Sequence, residues 1–431
     1  MSSILTEAKV RDRVLAAVDE LADEVVDFTA ELIRIPTVNP PGEFYEDCAR
    51  AIGARLEQFG FTVEYHAAEG RPEHTRAHPR VNVVGTLPGA RRNPVVHLNG
   101  HFDVVPAGDG WTVDPFGGVV RDGRIYGRGS ADMKAGIAAA VYAAEAIRRA
   151  GVRLTGTVEV SGTDDEESGG YAGMGYLAEM GRIARGRTDA VIIPEPLNVD
   201  RICVGHRGVY WFEVTTHGKI AHGSMPFLGE SAIEQMGWVL EAIRQELLPV
   251  YATRRTEVPV VPDGARHPTL NVNAIHGGQP EGPVQSPCVA DRCTAVFDRR
   301  FLIEEGFEKT RAEIVELLDG LTTRVPSFRY ELNDLMVVEP VLTPPDAPVI
   351  GALGEAIAGV LGREATLVAS PGTYDHKHVS RIAGIDNCVA YGPGILDLAH
   401  QPDEWCAVDD LINATRVLAL AILDLVGVES A

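Results

Sequence analysis

The sequence predicts an α/β fold. A larger domain holds a mostly parallel sheet with helices on both faces, and an inserted α+β domain interrupts it. Three observations carry this reading. Strand-like and helix-like segments alternate up to about residue 205 and again after residue 343. Between them the order changes to strand, helix, strand, strand, helix, strand. Polar clusters stand just after the apolar strands, where open α/β sheets place their functional groups. A chain of 431 residues, 45% apolar, also exceeds what one core usually supports.

In chain order, apolar residues recur at helical spacing from 6 to 35, with Val14, Leu15, Val18 and Leu21 followed by Val25, Val26, Phe28 and Leu32. Pro36 and the Asn-Pro-Pro-Gly turn at 39–42 end that segment. A helix over 48–59 leads to strands at 62–66, 81–86 and 95–98, the last expected to end in a sharp turn at Asn99-Gly100. An Ala-rich helix is expected over 131–149, a β-branched strand over 156–162 and a short buried strand over 190–193. The inserted domain, 207–337, reads as strand 210–216, helix 231–247, strands 269–275 and 293–300, helix 307–318 and strand 328–332. That βαββαβ order suits a helical layer on an antiparallel sheet. The flanking segments, 1–206 and 338–431, form the larger domain.

Composition narrows the function classes. The formal charge is −22, with Lys and Arg scattered, so phosphate backbones and anionic lipid are repelled. No nucleic-acid or membrane partner is expected. The first residues carry mixed charge without an apolar core, which makes the cytoplasm the expected location. Six cysteines form no Cys-x-x-Cys pair and are expected as reduced thiols.

Five polar clusters lie at expected strand ends: His101 and Asp103; Asp132, where a loop enters the Ala-rich helix; Asp164 to Glu167; Glu195 after "AVIIP"; and His400 beyond "NCVAYGPG". His101 and Asp103 are two apart, so in an extended chain they share a face. Carboxylates crowded into one cleft repel one another unless a cation neutralises them. Imidazole and carboxylate donors without thiolate suit Zn²⁺, and also Co²⁺ or Mn²⁺, and two histidines with three acids suit two ions.

The stretches "GHFDVVPAG", "GRGSADMKAG", "GTDDEESGG", "IPEP", "GKIAHGSMP", "GTYD" and "AYGPG…AHQPDEW" occur in the order found in the M20 metallopeptidase family, which the chain resembles over nearly its whole length. That family holds acetylornithine deacetylases, succinyl-diaminopimelate desuccinylases, aminoacylases and glutamate-type carboxypeptidases. The resemblance implies a di-metal hydrolase of the amide bond in an N-acyl amino acid, or alternatively a dipeptidase or carboxypeptidase releasing a C-terminal amino acid. It implies that His101 and Glu195 hold one ion, that Glu167 and His400 hold the other, and that Asp132 bridges them. Glu166 would act as general base on a bridging water, and Asp103 would take the other ring N–H of His101. A cis peptide between Asp132 and Met133 is implied as well. His222 would polarise the scissile carbonyl from the inserted domain, which would act as lid and homodimer contact. Arg300, Gly372 and Thr373 match the family's contacts to the substrate carboxylate.

The chain departs from the family's desuccinylases in two places. An arginine and a serine flanking the Arg-Gly pair are replaced by His206 and Val209, which disfavours a second carboxylate on the acyl group. The asparagine upstream of Arg300 is replaced by Pro287, after the lead-in "GGQPEGPVQSP". "GGYAGMG" at 169–175 imitates a phosphate loop but lacks the Lys-Ser/Thr pair, and no Gly-x-Ser-x-Gly elbow surrounds Ser130. His376 and His378 are expected near the site without ligating. A catalytically silent binding protein on the same scaffold would have lost a ligand or Glu166, and all six are present.

Overall fold

The computed structural model describes residues 2–278 and 287–429, so most of the lead-in before Pro287 lies outside the described residues. Two compact units divide the chain: Met1–Gly205 with Thr343–Val368 and Tyr374–Ala431, and His206–Leu342 with Ala369–Thr373. Residues 369–373 join the second unit because Ala369 pairs with Val260 and exchanges backbone hydrogen bonds with Pro259 and Val261.

In the first unit the sheet runs in the order Thr62–Ala67, Val81–Leu87, Thr157–Thr163, Val95–His101, Ala190–Ile193, Cys388–Ala390, Arg201–His206. The four strands from Thr157–Thr163 to Cys388–Ala390 are mutually parallel, and antiparallel strands flank them on both sides. Parallel strands end on the same edge of a sheet. The segments following Thr163, His101, Ile193 and Ala390 therefore leave the sheet side by side.

The strand Val95–His101 does not stop at Leu98. It continues through Asn99, Gly100 and His101, paired with Ser161, Gly162 and Thr163. The expected Asn-Gly turn fails because both residues serve packing. A Cβ at Gly100 would sit 2.6 Å from Ile137 Cγ1, so glycine lets the helix Lys134–Arg149 press against the sheet. Val96 and Leu98 face the apolar core with Ile137, each burial contributing about 1.5–3 kcal/mol. The opposite face is a buried polar row. His97 Nδ1 lies 3.0 Å from Glu159 and its Nε2 lies 2.7 Å from Ser161 Oγ, while Asn99 Oδ1 accepts from Ser161 at 2.7 Å.

The N-terminal helical segment divides at Leu21 into Ser2–Glu20 and Ala22–Ile33. Leu21 is fully buried, so the apolar spacing runs unbroken across the break. Lys134, expected inside a helix, opens one instead. Its buried ammonium donates to the carbonyls of Leu32 (2.9 Å) and Ile35 (2.7 Å), satisfying the carboxyl end of the helix Ala22–Ile33. Burial lowers its pKa to about 8.

The second unit carries a four-stranded antiparallel sheet in the order Thr269–Gly277, Arg292–Phe301, Gly208–His217, Tyr330–Val338. Helices Ala232–Ala242 and Phe307–Arg324 share its apolar core. The single helix expected over 231–247 ends at Ala242, widens into a π-turn at Ile243–Leu247 and resumes as Leu248–Thr253. Pro249 explains this, since it donates no N–H and its ring displaces the carbonyl four residues back. All six cysteines are free thiols. No described helix is long and apolar enough to cross a membrane.

Candidate active site

The carboxyl edge of the parallel strands gathers His101, Asp132, Glu167, Glu195 and His400 into two overlapping donor groups. His101, Asp132 and Glu195 form one, Asp132, Glu167 and His400 the other, with the donor atoms of each group within 4.8 Å of one another. Asp132 belongs to both. Its Oδ1 lies 3.1 Å from His101 Nε2, and its Oδ2 lies 3.5 Å from His400 Nε2. Glu195 Oε1 is 3.9 Å from His101 Nε2, and Glu167 Oε1 is 3.0 Å from His400 Nε2.

Local sequence explains each placement. His101 closes its strand, and Glu195 follows Ile193 and Pro194. A Cβ on Gly136 would collide with the carbonyl oxygen of Pro194, so glycine at this helical position lets the Asp132 loop and the Glu195 loop approach. The Asp132–Met133 peptide is cis. Two non-glycine residues in the left-handed region, Asp165 (φ +57°) and His400 (φ +63°), aim Glu166 and the His400 ring. Arg80 holds Asp165 in place, its Nε 2.9 Å from Oδ2, with Tyr45 OH 3.3 Å from Oδ1.

Asp103 stands beside His101, but its carboxylate is mainly engaged elsewhere. His101 Nδ1 is 3.0 Å from the backbone oxygen of Asp103 and 3.4 Å from its Oδ1. The carboxylate accepts the backbone N–H of Glu166 and of Glu167, both at 3.1 Å, and the side-chain amide of Asn39 at 2.8 Å.

The electrostatics are those of crowded acids. Burial pushes Glu195 well above the usual carboxylate range, and Asp132 adds to it. Burial likewise raises Glu167 to about 7, against the hydrogen bond from His400. Burial opposes ionisation of Asp132, yet the hydrogen bonds of His101 and His400 outweigh it and hold the group well below the usual value. Hydrogen bonds to Asp132 and Glu167 raise His400 to about 10. Three carboxylates and two imidazoles, all oxygen or nitrogen donors in two groups sharing one carboxylate, fit a pair of divalent cations.

Several site residues escaped the sequence reading. Glu404 is fully buried; its Oε1 accepts from the backbone N–H of Gly129, Ala131 and Asp132 at 2.8–3.1 Å, and its Oε2 from Arg128 at 2.6 Å. Asp375 accepts from Asn99 at 2.9 Å, and burial raises it to about 7. Lys377 Nζ lies 3.2 Å from Glu166 Oε1. They stand in "HQPDEW" and "GTYDHKH", where the sequence draws attention to the histidines, Gly372 and Thr373 instead. His376 is buried beside Tyr374 OH and Thr343 Oγ1, and His378 Nε2 is 2.7 Å from the carbonyl of Gly169. Neither joins a donor group.

The remaining expected residues, His222, Arg300, Gly372 and Thr373, belong to the second unit. His222 Nδ1 accepts from the Ser224 backbone N–H at 3.1 Å and lies 2.7 Å from its hydroxyl. Arg300 pairs through Nε and one terminal nitrogen with Asp298, at 2.7 and 3.0 Å. Gly372 N donates to Ser370 Oγ at 3.2 Å. Of the two departures, His206 is buried with Nδ1 2.9 Å from the carbonyl of Arg207, and Val209 is buried.

Comparison with known proteins matches residues 97–424 to a family model described as peptidase family M20/M25/M40. A succinyl-diaminopimelate desuccinylase of Rhodospirillum centenum is 30% identical over 92% of this chain and 96% of its own. Among solved structures, a dipeptidase of Saccharomyces cerevisiae superposes with a TM-score of 0.77 at 17% identity, covering 96% of this chain and 98% of that one. A Bacillus subtilis protein described as a dinuclear metal-binding peptidase of the M20 family superposes with a TM-score of 0.66 at 16% identity, covering 94% and 99%.

Proposed function

The chain belongs to peptidase family M20/M25/M40, and from that premise we propose that it is a two-metal amidohydrolase cleaving the amide bond of an N-acyl amino acid to a carboxylate and a free amine. The observation that carries this reading is the division of Asp132, one carboxylate oxygen toward His101 and the other toward His400. His101 and Glu195 would hold one ion, Glu167 and His400 the other, with Asp132 shared. Zn²⁺ suits this set best, with Co²⁺ or Mn²⁺ also accommodated. When bound, such ions polarise the amide carbonyl and lower the pKa of water.

The chain's own residues supply the rest. Glu166 accepts the proton of the attacking water and returns it to the departing nitrogen as the C–N bond breaks. Asp103 fixes the backbone of Glu166 and Glu167. His222 donates a hydrogen bond to the carbonyl oxygen as negative charge develops there. Arg300, turned from Asp298, the Gly372 N–H, released from Ser370 Oγ, and the Thr373 hydroxyl would hold the amino-acid carboxylate. The buried His206 and Val209 offer no anchor for a second carboxylate, which favours an uncharged acyl group. The proposal includes a cytoplasmic homodimer formed through the inserted unit, with neither nucleic acid nor membrane as partner.

The test is a panel of N-acetyl, N-formyl, N-aromatic-acyl and N-succinyl amino acids with dipeptides, assayed with added Zn²⁺, Co²⁺ or Mn²⁺. Turnover of N-acyl amino acids, abolished by EDTA and reduced about 10²–10⁴-fold in Glu166→Gln, is expected. Dipeptides alone turning over would move the assignment to a dipeptidase. Activity surviving EDTA, or near wild-type turnover in Glu166→Gln, would refute the mechanism.

A further inference from the structure

We infer that Lys377 is a positioning residue for Glu166, and that the segment from Asp375 to His378 is a clamp that docks the loop carrying the general base. This rests on Glu166 being that base.

The clamp holds by three side chains, Asp375, Lys377 and His378. Lys377 Nζ lies 3.2 Å from Glu166 Oε1, and both side chains are nearly enclosed, at 6% and 11% exposure. His378 Nε2 lies 2.7 Å from the carbonyl oxygen of Gly169, where the short turn Glu166–Ser168 ends, and its ring meets Tyr171 edge-on at 5.0 Å. Asp375 is itself anchored to the sheet by Asn99, at 2.9 Å. The loop is cut to fit this surface. Gly170 has φ +75°, and a Cβ there would stand 2.6 Å from Asp375 Oδ1 and 3.0 Å from His378 Nε2. Only glycine allows the backbone to lie so close in that conformation.

A glutamate that takes a proton and gives it back must hold one place through both transfers, because general-base efficiency depends on reach before it depends on basicity. Asp103 fixes the backbone of Glu166 and leaves its side-chain torsions free. Lys377 supplies the missing constraint. A charge-assisted hydrogen bond from a buried ammonium fixes one carboxylate oxygen and leaves the other for the water. Nothing in this role requires Lys377 to gain or lose a proton.

The experiment compares Lys377→Met, Lys377→Arg and Gly170→Ala, each also combined with Glu166→Gln, using the fastest substrate of the panel above. Lys377→Met is expected to lower kcat about tenfold or more with KM within about twofold, Lys377→Arg to recover most of it, and neither change to add a loss in the Glu166→Gln background. Hydrogen exchange supplies a reading independent of turnover: amides of residues 166–171 should exchange about tenfold faster in Lys377→Met and in Gly170→Ala, with or without added Zn²⁺. Unchanged exchange overturns the clamp. An equal kcat loss in the Glu166→Gln background overturns the positioning role. Full activity of Glu166→Gln alone would instead defeat the base assignment, leaving the docking to be decided by exchange. Should Lys377→Met fail to fold, Lys377→Gln and Gly170→Ala take the same readings.

Discussion

The carboxylate of Asp103 accepts a hydrogen bond from the backbone N–H of Glu166 at 3.1 Å through one oxygen, while its other oxygen accepts from Glu167 at the same distance. One side chain at the end of one strand thereby sets two consecutive residues at the end of its neighbour. On the proposed assignment those two residues have different tasks, base and ligand, so a single displacement would disturb both.

Asp103→Asn tests this bond. An amide keeps the size but turns an NH₂ toward one of the two backbone donors, leaving a buried N–H without an acceptor at a cost of about 1–3 kcal/mol. A fall in kcat of at least about tenfold is expected, larger than any change in KM. Steady-state kinetics with measured metal content decides it, and a variant with wild-type kcat would remove Asp103 from the machinery.

Glu404→Gln addresses the Asp132 loop. Glu404 gathers three backbone N–H groups on one oxygen and Arg128 on the other. The amide must present its NH₂ to one set of donors, and the buried Arg128 then loses its counter-charge. Residues that orient metal ligands typically affect affinity by about 10–100-fold. Calorimetric Zn²⁺ titration should show a loss of that size together with a lowered melting temperature; unchanged affinity would limit Glu404 to folding.

The proposed ligands were legible in two steps: strand ends drew attention to the clusters holding His101, Glu167, Glu195 and His400, and the ordered family motifs singled these residues out within them. Glu404 and Asn39 were not, because their partners are the backbone donors or the carboxylate of another loop, and no local pattern records such a partner. Asn99-Gly100 misled for a related reason. The pair carries turn chemistry, yet Gly100 is there for the approach of Ile137 and Asn99 for Ser161 and Asp375. The antiparallel flanks of the sheet were hidden too, since a strand's burial pattern does not state its neighbour's direction.

Asp164 should make stability depend on pH. It is fully buried, and burial, with Asp165 and Asp103 close by, raises its pKa well above the usual carboxylate value. A raised folded value means the stabilising contribution is complete below the unfolded pKa, near 3.9, and is lost as pH rises through the folded one. Asp164→Asn removes that loss. Urea midpoints measured upward from about pH 4 should fall less steeply in the variant than in the wild type. Parallel curves would show that Asp164 does not titrate between the two states.

His222 carries the last prediction. A backbone N–H can only donate, so the 3.1 Å bond from Ser224 N makes His222 Nδ1 an acceptor, and the Ser224 hydroxyl at 2.7 Å takes the same side. The neutral ring must then carry its proton on Nε2, the tautomer an oxyanion donor needs. Nitrogen NMR of the ¹⁵N-histidine-labelled protein, assigned by comparison with His222→Ala, should show Nδ1 unprotonated in the neutral ring. His222→Ala should lower kcat about 10²–10³-fold, as removal of one oxyanion donor does. Ser224→Ala removes the hydroxyl but keeps the backbone N–H on Nδ1, and so should cost less, with KM nearly unchanged. An Nδ1–H tautomer in the wild type would exclude the assigned role, because the donor would then point into its own turn.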